Sequence, residues 1–263
     1  MDVRETVISV AAEVSSRLER RFGARAEKDY WGASIDADHV RQYILGCVER
    51  FALVVASARR FAGPPPRRVM EVGPAYGVTA LSLRRLGYEV LTCEMPDSIS
   101  VYCHVLLEEG VRVEPWDIHA SECPLAEHEF DVIIASEVLE HLQMSLRSAI
   151  ERLHRALAPN GILVLTTPNL RRLSNVVRLL SGRNICEAFP HNPDIRNGLV
   201  IDSRTHPWEP TPHDLCVAVR QCGLSVRIVT GFTVEASGWL RRLAYAMAPR
   251  GLGEHILVVA QKA

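Results

Sequence analysis

A glycine-containing loop is the first part of the chain whose residue types and spacing could bind a ligand. A short strand pattern at 68–72 runs into Gly73-Pro74-Ala75-Tyr76-Gly77, and a helical apolar pattern follows at once. Glycine at 73 permits a tight turn, the small residue at 75 lets a ligand approach the backbone, and Gly77 lets the helix pack closely on the strand. The N-terminus of that helix offers free N–H groups to an anionic group. The loop therefore indicates a nucleotide-type site.

Two acidic residues lie at the ends of the next two strand patterns. Glu94 ends the pattern at 88–94, about 20 residues past the first glycine, where a ribose hydroxyl pair needs an acceptor. Asp117 follows the pattern at 111–114 and can accept a hydrogen bond from an exocyclic amine. A buried strand at 130–135 comes next. Ligands of open α/β sheets bind at the carboxyl ends of strands, so these strand ends predict one shared ligand. The alternative for Glu94 is a solvated carboxylate.

A histidine follows the fourth strand within Glu137-Val138-Leu139-Glu140-His141. On a helical turn, Glu137 and His141 share a face at i and i+4. An imidazole titrates near neutrality and can remove a proton from a hydroxyl. We therefore predict Glu137 and His141 as catalytic residues. The alternative is that this histidine packs against the protein or holds the loop.

Strand and helix patterns alternate along the chain after Gly63-Pro64-Pro65-Pro66, which ends any helix because proline lacks the N–H and fixes φ. Strands are predicted at 68–72, 88–94, 111–114, 130–135, 161–166, 224–230 and 255–260. Helices are predicted at 76–86, 97–109, 144–158, 212–222 and 236–247. Such alternation predicts a doubly wound α/β fold, with seven strands, helices on both faces and an antiparallel last pair.

Two regions lie outside this alternation. Residues 1–63 predict an N-terminal helical cap on a domain at 64–263, with a first helix at 3–21 and a second from Asp36 or Asp38 to about Ala62. Tyr30 and Trp31, in the link between these helices, could reach the pocket. Residues 167–211 predict an insertion after the fifth strand that forms a substrate lid. Its apolar stripe favours packing on the core over membrane binding.

Charge and composition limit the classes of partner. The 263 residues carry a formal net charge of −1, which gives no global attraction for nucleic acid or an anionic membrane. The seven cysteines have scattered spacings and no C-x-x-C pair, so they predict reduced thiols. No segment approaches 18 apolar residues, and the N-terminus has no apolar signal core. We expect a cytoplasmic protein with a small-molecule acceptor, and the sequence allows a homodimer without fixing the oligomeric state.

The motifs as a set resemble those of class I S-adenosylmethionine-dependent methyltransferases. The match carries VMEVGPAYG, the acid of LTCEM, PWDI, FDVIIASEVLEHL and GILVLTTPN, in order and spacing, over about residues 65–170. The resemblance implies a Rossmann-like methyltransferase fold and S-adenosyl-L-methionine as cofactor. It implies cofactor contacts for the loop and the strand ends: Glu71, Gly73, Pro74, Ala75 and Gly77 on the methionine and ribose side, Glu94 at the ribose, Met95, Asp117 and Ile118 at the adenine, and Ser136 near the sulfonium. Pro74 and Ala75 depart from the small or glycine residues usual there.

A further resemblance concerns a metal ion. Glu137, Glu140, His141 and His206 resemble the E-x-x-E-H plus distant histidine set of small-RNA 3′-terminal 2′-O-methyltransferases, which activate vicinal hydroxyls with a divalent cation. Oxygen ligands with one or two imidazoles suit Mg²⁺ or Mn²⁺. Metal-assisted 2′-O-methylation of RNA therefore stays open as an alternative.

The lid region resembles methyltransferases encoded with bacterial glycan or natural-product pathways, through TPN, LLSGRN and a histidine before a Thr-x-x-Asp-Leu helix start. This resemblance favours O-methylation of a sugar or small secondary metabolite in biosynthesis. Two other classes compete with that interpretation. One is a non-catalytic cofactor-binding subunit. The other is a nicotinamide-dependent oxidoreductase, against which Ala75 counts because it replaces the middle glycine of a dinucleotide loop.

Overall fold

A mixed seven-stranded sheet lies at the centre of the molecule. The computed structural model describes residues 2–23, 27–28, 34–120, 122–125, 127–185, 194–196, 199–201, 206, 208–234, 244–245 and 247–263. Within these ranges the helices are α1 Val3–Phe22, α2 Ala37–Gly46, α3 Val48–Ala62, α4 Val78–Arg85, α5 Ile99–Tyr102, α6 His104–Glu108, α7 Leu146–Ala156, α8 Leu173–Leu180 and α9 Pro212–Gln221. The strands are β1 Glu27–Lys28, β2 Ser34–Ile35, β3 Arg68–Val72, β4 Glu89–Glu94, β5 Arg112–Pro115, β6 Phe130–Ser136, β7 Leu157–Pro168, β8 Asp194–Arg196, β9 Leu199–Ile201, β10 Leu224–Phe232 and β11 His255–Lys262.

The order of the large sheet is β10-β11-β7-β6-β3-β4-β5. Strands β3 to β7 pair in parallel, whereas β11 is antiparallel to both β7 and β10. The chain leaves β3 towards β4 on one side and returns to β6 on the other, so the strand order reverses between β3 and β6. Ligands of doubly wound sheets bind beyond the carboxyl ends of the strands at such a reversal. The predicted fold class, with an antiparallel last pair, is confirmed.

Alternating side chains of the strands fill two cores, one on each face of the sheet. Val69 and Val132 pack with α1 to α4, whereas Met70 and Ile133, one residue further along, pack with α7 and α9. This period of two is the expected geometry of a strand buried on both faces. Helix α1 contacts α2, α3 and α4, and α3 contacts β6 and β7. The N-terminal helices therefore share the core of the sheet's first face.

Two predicted helices are interrupted in the structure. The second N-terminal helix begins after Asp36, whose side chain accepts from the His39 N–H, but Cys47 at φ −94°, ψ 3° divides it into α2 and α3. The helix expected at 97–109 starts with a 3₁₀ turn at Pro96–Ser98 and is divided at Cys103 into α5 and α6. Each predicted helix is therefore two helices in the structure. The prediction of one continuous helix was wrong because the apolar periodicity continues across a break in the backbone geometry.

The remaining elements differ at their ends. Strand β7 begins at Leu157, so α7 ends at Ala156, before the predicted end at 158. The insertion holds α8 and a two-stranded antiparallel pair, β8 with β9, where no strand was expected. Most of the helix predicted at 236–247, together with Tyr30 and Trp31, lies outside the described residues. Among the helices described, none has both the length and the apolar character required to cross a membrane.

Candidate active site

The loop after β3 has left-handed backbone at three positions. Gly73 has φ +65°, Ala75 has φ +47° and Gly77 has φ +84°. A Cβ at Gly73 would lie 2.7 Å from Val138 Cγ2, and one at Gly77 would lie 2.6 Å from Leu106 Cγ. Both glycines therefore let other parts of the chain come close. Gly77 makes room for α6, whereas the sequence indicated close packing between its own helix and β3.

A cavity of about 260 Å³ opens beyond the carboxyl ends of β3, β4 and β6. Seven of the predicted site residues line it: Gly73, Ala75, Glu94, Met95, Ile118, Glu137 and His141. The described residues that line it do not include Glu71, Pro74, Gly77, Asp117 or Ser136. The structure thus brings the strand ends together around one space, as expected from the reversal of strand order.

Glu94 is half-buried in this cavity. Its Oε1 accepts a hydrogen bond of 2.8 Å from the Met95 N–H, and burial raises the pKa of Glu94 to about 7. A carboxylate that is poorly solvated and has a free oxygen is a strong acceptor for ligand hydroxyls. Glu94 therefore has the chemistry that a ribose diol needs.

Three other cofactor candidates, Glu71, Asp117 and Ser136, are not among the described residues that line the cavity, and they form hydrogen bonds within the protein. Glu71 is 3% exposed, and burial raises its pKa to about 8 against opposing hydrogen bonds from Thr79 and the Ala80 backbone. It therefore ties β3 to the start of α4. Asp117 Oδ1 accepts from the His119 N–H at 2.9 Å. Ser136 Oγ lies 2.8 Å from Thr166 Oγ1.

Glu137 is held by two basic residues that are distant in sequence. Its backbone has φ +56°, and its Oε2 lies 2.9 Å from His255 Nδ1 and 3.6 Å from a guanidinium nitrogen of Arg50. Burial opposes ionisation, but the His255 hydrogen bond and the Arg50 charge lower the pKa of Glu137 to about 2. Its other oxygen, Oε1, is buried without a hydrogen-bond partner. Glu137 is therefore a fixed anion at the cavity wall.

His141 contacts a second histidine. The turn that carries it, Leu139–His141, is 3₁₀, so the α-helical i, i+4 face expected for Glu137 and His141 is absent from this described turn. The rings of His141 and His206 are 5.0 Å apart and edge-on. Burial, with a smaller effect from His206, lowers the pKa of His141 to about 4. The imidazole is therefore neutral near pH 7.

Glu140 completes this group. It is 1% exposed, its Oε2 accepts a 3.1 Å hydrogen bond from Thr167, and burial followed by the Glu137 charge raises its pKa well above the usual range. The ligand atoms of Glu140, His141 and His206 all lie within 4.8 Å of one another. Three of the four residues proposed as metal ligands thus meet, whereas Glu137 pairs with Arg50 and His255.

Sequence reasoning missed several residues of the site. His39 and Tyr43 reach the cavity from α2, and Tyr102 and His119 line it from the other side. Arg50 was missed although it lies on the apolar face of α3 with Phe51 and Val54, and a charge on such a face requires a partner. Its Nη2 donates to the Tyr43 hydroxyl at 3.0 Å.

Comparisons with known proteins agree with this geometry. The methyltransferase-domain family model matches residues 48–228. A relative in Ruegeria pomeroyi named ubiquinone biosynthesis O-methyltransferase is 25% identical over 205 residues, covering 77% of this chain and 75% of the relative. The mitochondrial enzyme of that name in Mus musculus is 27% identical over 189 residues, and the match covers 68% of this chain but 47% of the relative.

Solved structures show the same fold at low identity. An S-adenosylmethionine-dependent methyltransferase of Mesorhizobium loti superimposes with a TM-score of 0.54 at 16% identity, over 82% of this chain and 98% of that one. A structure described as a sarcosine dimethylglycine methyltransferase of Galdieria sulphuraria gives a TM-score of 0.53 at 13% identity, over 95% and 98%. With its strand order, its glycine loop and its family match over residues 48–228, the chain belongs to the class I S-adenosylmethionine-dependent methyltransferases.

Proposed function

We propose that this methyltransferase transfers a methyl group to a hydroxyl oxygen of a small molecule, in the class of sugars or small secondary metabolites. The observation that carries the proposal is the shared cavity: Glu94 and Met95 line it together with His141 and Tyr43. Cofactor and acceptor can therefore meet in one shared cavity, and holding the two reactants together is the main requirement of an in-line displacement. The O-methyltransferase names of the curated relatives favour oxygen as the acceptor atom.

The residues present fit S-adenosyl-L-methionine. Gly73 lines the cavity without a side chain of its own, and Glu137 Oε1 is an anionic acceptor with no partner. We assign Glu137 to the ammonium of the methionine moiety, Glu94 to the ribose hydroxyls, and Met95 with Ile118 to the adenine. The cofactor supplies a methyl group on a positively charged sulfur.

The chain's own residues must take the acceptor's proton. As the new O–CH₃ bond forms and the S–CH₃ bond breaks, the hydroxyl proton must leave the acceptor oxygen. His141 is neutral near pH 7 and lines the cavity, so we propose it as the group that receives this proton. Tyr43 and His39 of α2 then form one wall of the space for the acceptor. In this proposal residues 1–63 act as a cap on the site.

Calorimetric titration with S-adenosylhomocysteine tests the cofactor half of the proposal. Wild-type protein is expected to bind it, and Glu94→Ala to bind it at least about tenfold more weakly, because the ribose loses a charged acceptor. Glu89→Ala is the matched control, since Glu89 is an exposed glutamate at the other end of the same strand. Equal weakening by both variants, or no binding to folded wild-type protein, would contradict the assignment.

Methyl transfer from labelled cofactor to a panel of acceptors tests the other half. The panel contains hydroxylated sugars, hydroxylated aromatic compounds and a short RNA, and mass spectrometry locates the transferred methyl group. O-methylation of a sugar or a hydroxylated metabolite supports the proposal. Transfer only to nitrogen, only to carbon or only to RNA would replace it with that chemistry.

Two further properties stay proposals. We place the reaction in the cytoplasm, in line with the scattered spacings of the seven cysteines, which predict reduced thiols. We also propose that the chain can form a homodimer. Cell fractionation and light scattering of the purified protein measure these two properties directly.

A further inference from the structure

We propose that His119 is a positioning residue for methyl transfer, which links the loop assigned to the adenine to the turn that carries His141. His119 lines the cavity, and its ring lies between Asp117 and Gln143. Asp117 belongs to the loop after β5, whereas Gln143 follows the turn Leu139–His141. One imidazole therefore joins the loop after β5 to the turn after β6. Because His141 is assigned as the group that receives the proton, this inference rests on the proposed function.

The hydrogen bonds of His119 fix the tautomer of its ring. A backbone N–H can only donate, so His119 Nε2 accepts from the Gln143 N–H, at 3.1 Å. The ring proton is then on Nδ1, which donates to Asp117 Oδ1 at 3.2 Å. The same oxygen accepts from the His119 backbone N–H at 2.9 Å. The Asp117 carboxylate thus holds the imidazole with Nε2 directed at the turn.

The loop that carries His119 is itself tied to the rest of the site. The Trp116 N–H donates to the carbonyl of Glu94 at 2.8 Å, so the loop is fixed to the strand end assigned to the ribose. On its other side, Arg152 of α7 donates to the Ile118 carbonyl. A cofactor that contacts Glu94 and Ile118 therefore restrains the segment from which His119 extends.

The Leu142–Gln143 peptide is held from both sides. Its N–H donates to His119, and its carbonyl oxygen accepts from Trp208 Nε1 at 2.8 Å. The C=O and the N–H of a trans peptide point in opposite directions, so the two side chains restrain one rigid unit from opposite sides. Trp208 lies shortly before α9, within the predicted lid. The lid region and the cofactor loop therefore hold the same backbone unit.

This peptide directly follows His141, so its position determines where the His141 ring lies. The turn is closed by hydrogen bonds from the His141 N–H to the Val138 carbonyl and from the Leu142 N–H to the Leu139 carbonyl, both at 3.1 Å. The hydrogen bonds of a short 3₁₀ turn have poor geometry, so contacts from outside the turn are needed to fix its end. A displacement of about 1 Å can lower a rate about 100-fold. His119 therefore acts on the reaction through His141.

Amide exchange at Gln143 measures this link without an acceptor. Four glutamines give one backbone signal each after labelling with [α-¹⁵N]glutamine: Gln42, Gln143, Gln221 and Gln261. Saturation with S-adenosylhomocysteine should slow exchange of the Gln143 amide about fivefold or more, which corresponds to the net weight of one hydrogen bond. The Gln261 amide is the internal control, because it lies in β11 opposite Ile162 and is not among the described residues that line the cavity.

Two substitutions of His119 separate positioning from simple packing. A glutamine side chain reaches as far as Nε2 and can accept from Gln143, whereas an asparagine side chain is too short. His119→Gln should therefore keep the slowed exchange, and His119→Asn should lose it while its Kd for S-adenosylhomocysteine stays within about threefold of wild type. With an acceptor from the panel, kcat should fall about tenfold in His119→Asn and little in His119→Gln, with KM for the cofactor almost unchanged. His213→Asn is the matched control, because His213 is exposed and is not among the described residues that line the cavity.

The outcomes separate the role of His119 from the proposed function. Unchanged Gln143 exchange on saturation of the wild-type protein with S-adenosylhomocysteine would overturn the link, whether or not the variants fold. Equal slowing in wild type and His119→Asn, or an unchanged kcat in that variant, would also overturn it. Slowing that His119→Asn loses and His119→Gln keeps would support it. The same exchange pattern without methyl transfer to any acceptor in the panel would leave the link to the turn standing and contradict the proposed function.

Discussion

Arg50 and Glu137 form a buried ion pair, with 3.6 Å between the guanidinium nitrogen and Glu137 Oε2. Arg50 belongs to the N-terminal helix α3 and is 7% exposed, whereas Glu137 follows β6 at the cavity. His255, at the start of β11, donates to the same oxygen. Three distant parts of the chain therefore meet at one carboxylate, and helix α3 is fixed to the edge of the sheet where the cavity lies.

Arg50→Met should therefore destabilise the protein markedly. Removing one partner leaves the Glu137 carboxylate buried with less compensation, which costs about 3 kcal/mol or more. Chemical denaturation measures the change. Arg4→Met is the control, because the Arg4–Glu49 pair joins α1 to α3 at the surface and its loss should leave the unfolding midpoint almost unchanged. Similar midpoints for both variants would show that the buried pair is not stabilising.

Local patterns in the sequence predicted much of the site. The succession of strand β3, the glycine loop and helix α4 could be predicted, because residues adjacent in the sequence specify each of these parts. Glu94 followed from its distance to the first glycine. The seven strands of the sheet were placed within a few residues, since runs of apolar residues between turns specify strands buried on both faces.

Contacts between distant residues could not be predicted in this way. Periodicity shows that α2 has an apolar face, but not that His39 and Tyr43 turn towards the cavity. The helical spacing of Glu137 and His141 predicted a shared face, and the actual direction of Glu137 depends on His255, 118 residues later. The helix breaks at Cys47 and Cys103 could not be predicted from the sequence, because cysteine is not a helix-breaking residue type.

Gly73→Ala should weaken cofactor binding. The change places a Cβ 2.7 Å from Val138 Cγ2 and puts an L-residue at φ +65°, so the loop and the wall formed by Val138 must move apart. Gly110→Ala is the control, because Gly110 has φ +66° and nothing within 4 Å of the added Cβ. We expect at least about a tenfold higher Kd for S-adenosylhomocysteine in Gly73→Ala and no change in Gly110→Ala. An unchanged Kd in both variants would show that the loop at Gly73 does not belong to the cofactor site.

Asn169→Ala should destabilise the fold around the end of β7. The buried Asn169 side chain donates to the carbonyls of Gly251 and Gly253 at 3.0 and 2.8 Å, and its oxygen accepts from the Arg171 N–H. Truncation leaves these groups without partners, at a cost of about 2–3 kcal/mol in the free energy of unfolding. Gln261→Ala removes one exposed hydrogen bond and should cost less than about 1 kcal/mol. Comparable losses in denaturation experiments would contradict this account.

The affinity for S-adenosylhomocysteine should rise with pH because of Glu94. Burial raises the pKa of Glu94 to about 7, and the ionised carboxylate is the better acceptor for ribose hydroxyls, so binding favours loss of the proton. From pH 6 to pH 8 the ionised fraction increases about tenfold, and the Kd should fall by a similar factor. Glu94→Gln should bind weakly and show no such rise. Glu71→Gln should keep it, although burial raises the pKa of Glu71 to about 8, because Glu71 bonds to α4 and is not among the described residues that line the cavity. A rise that survives in Glu94→Gln but disappears in Glu71→Gln would assign the titration to Glu71.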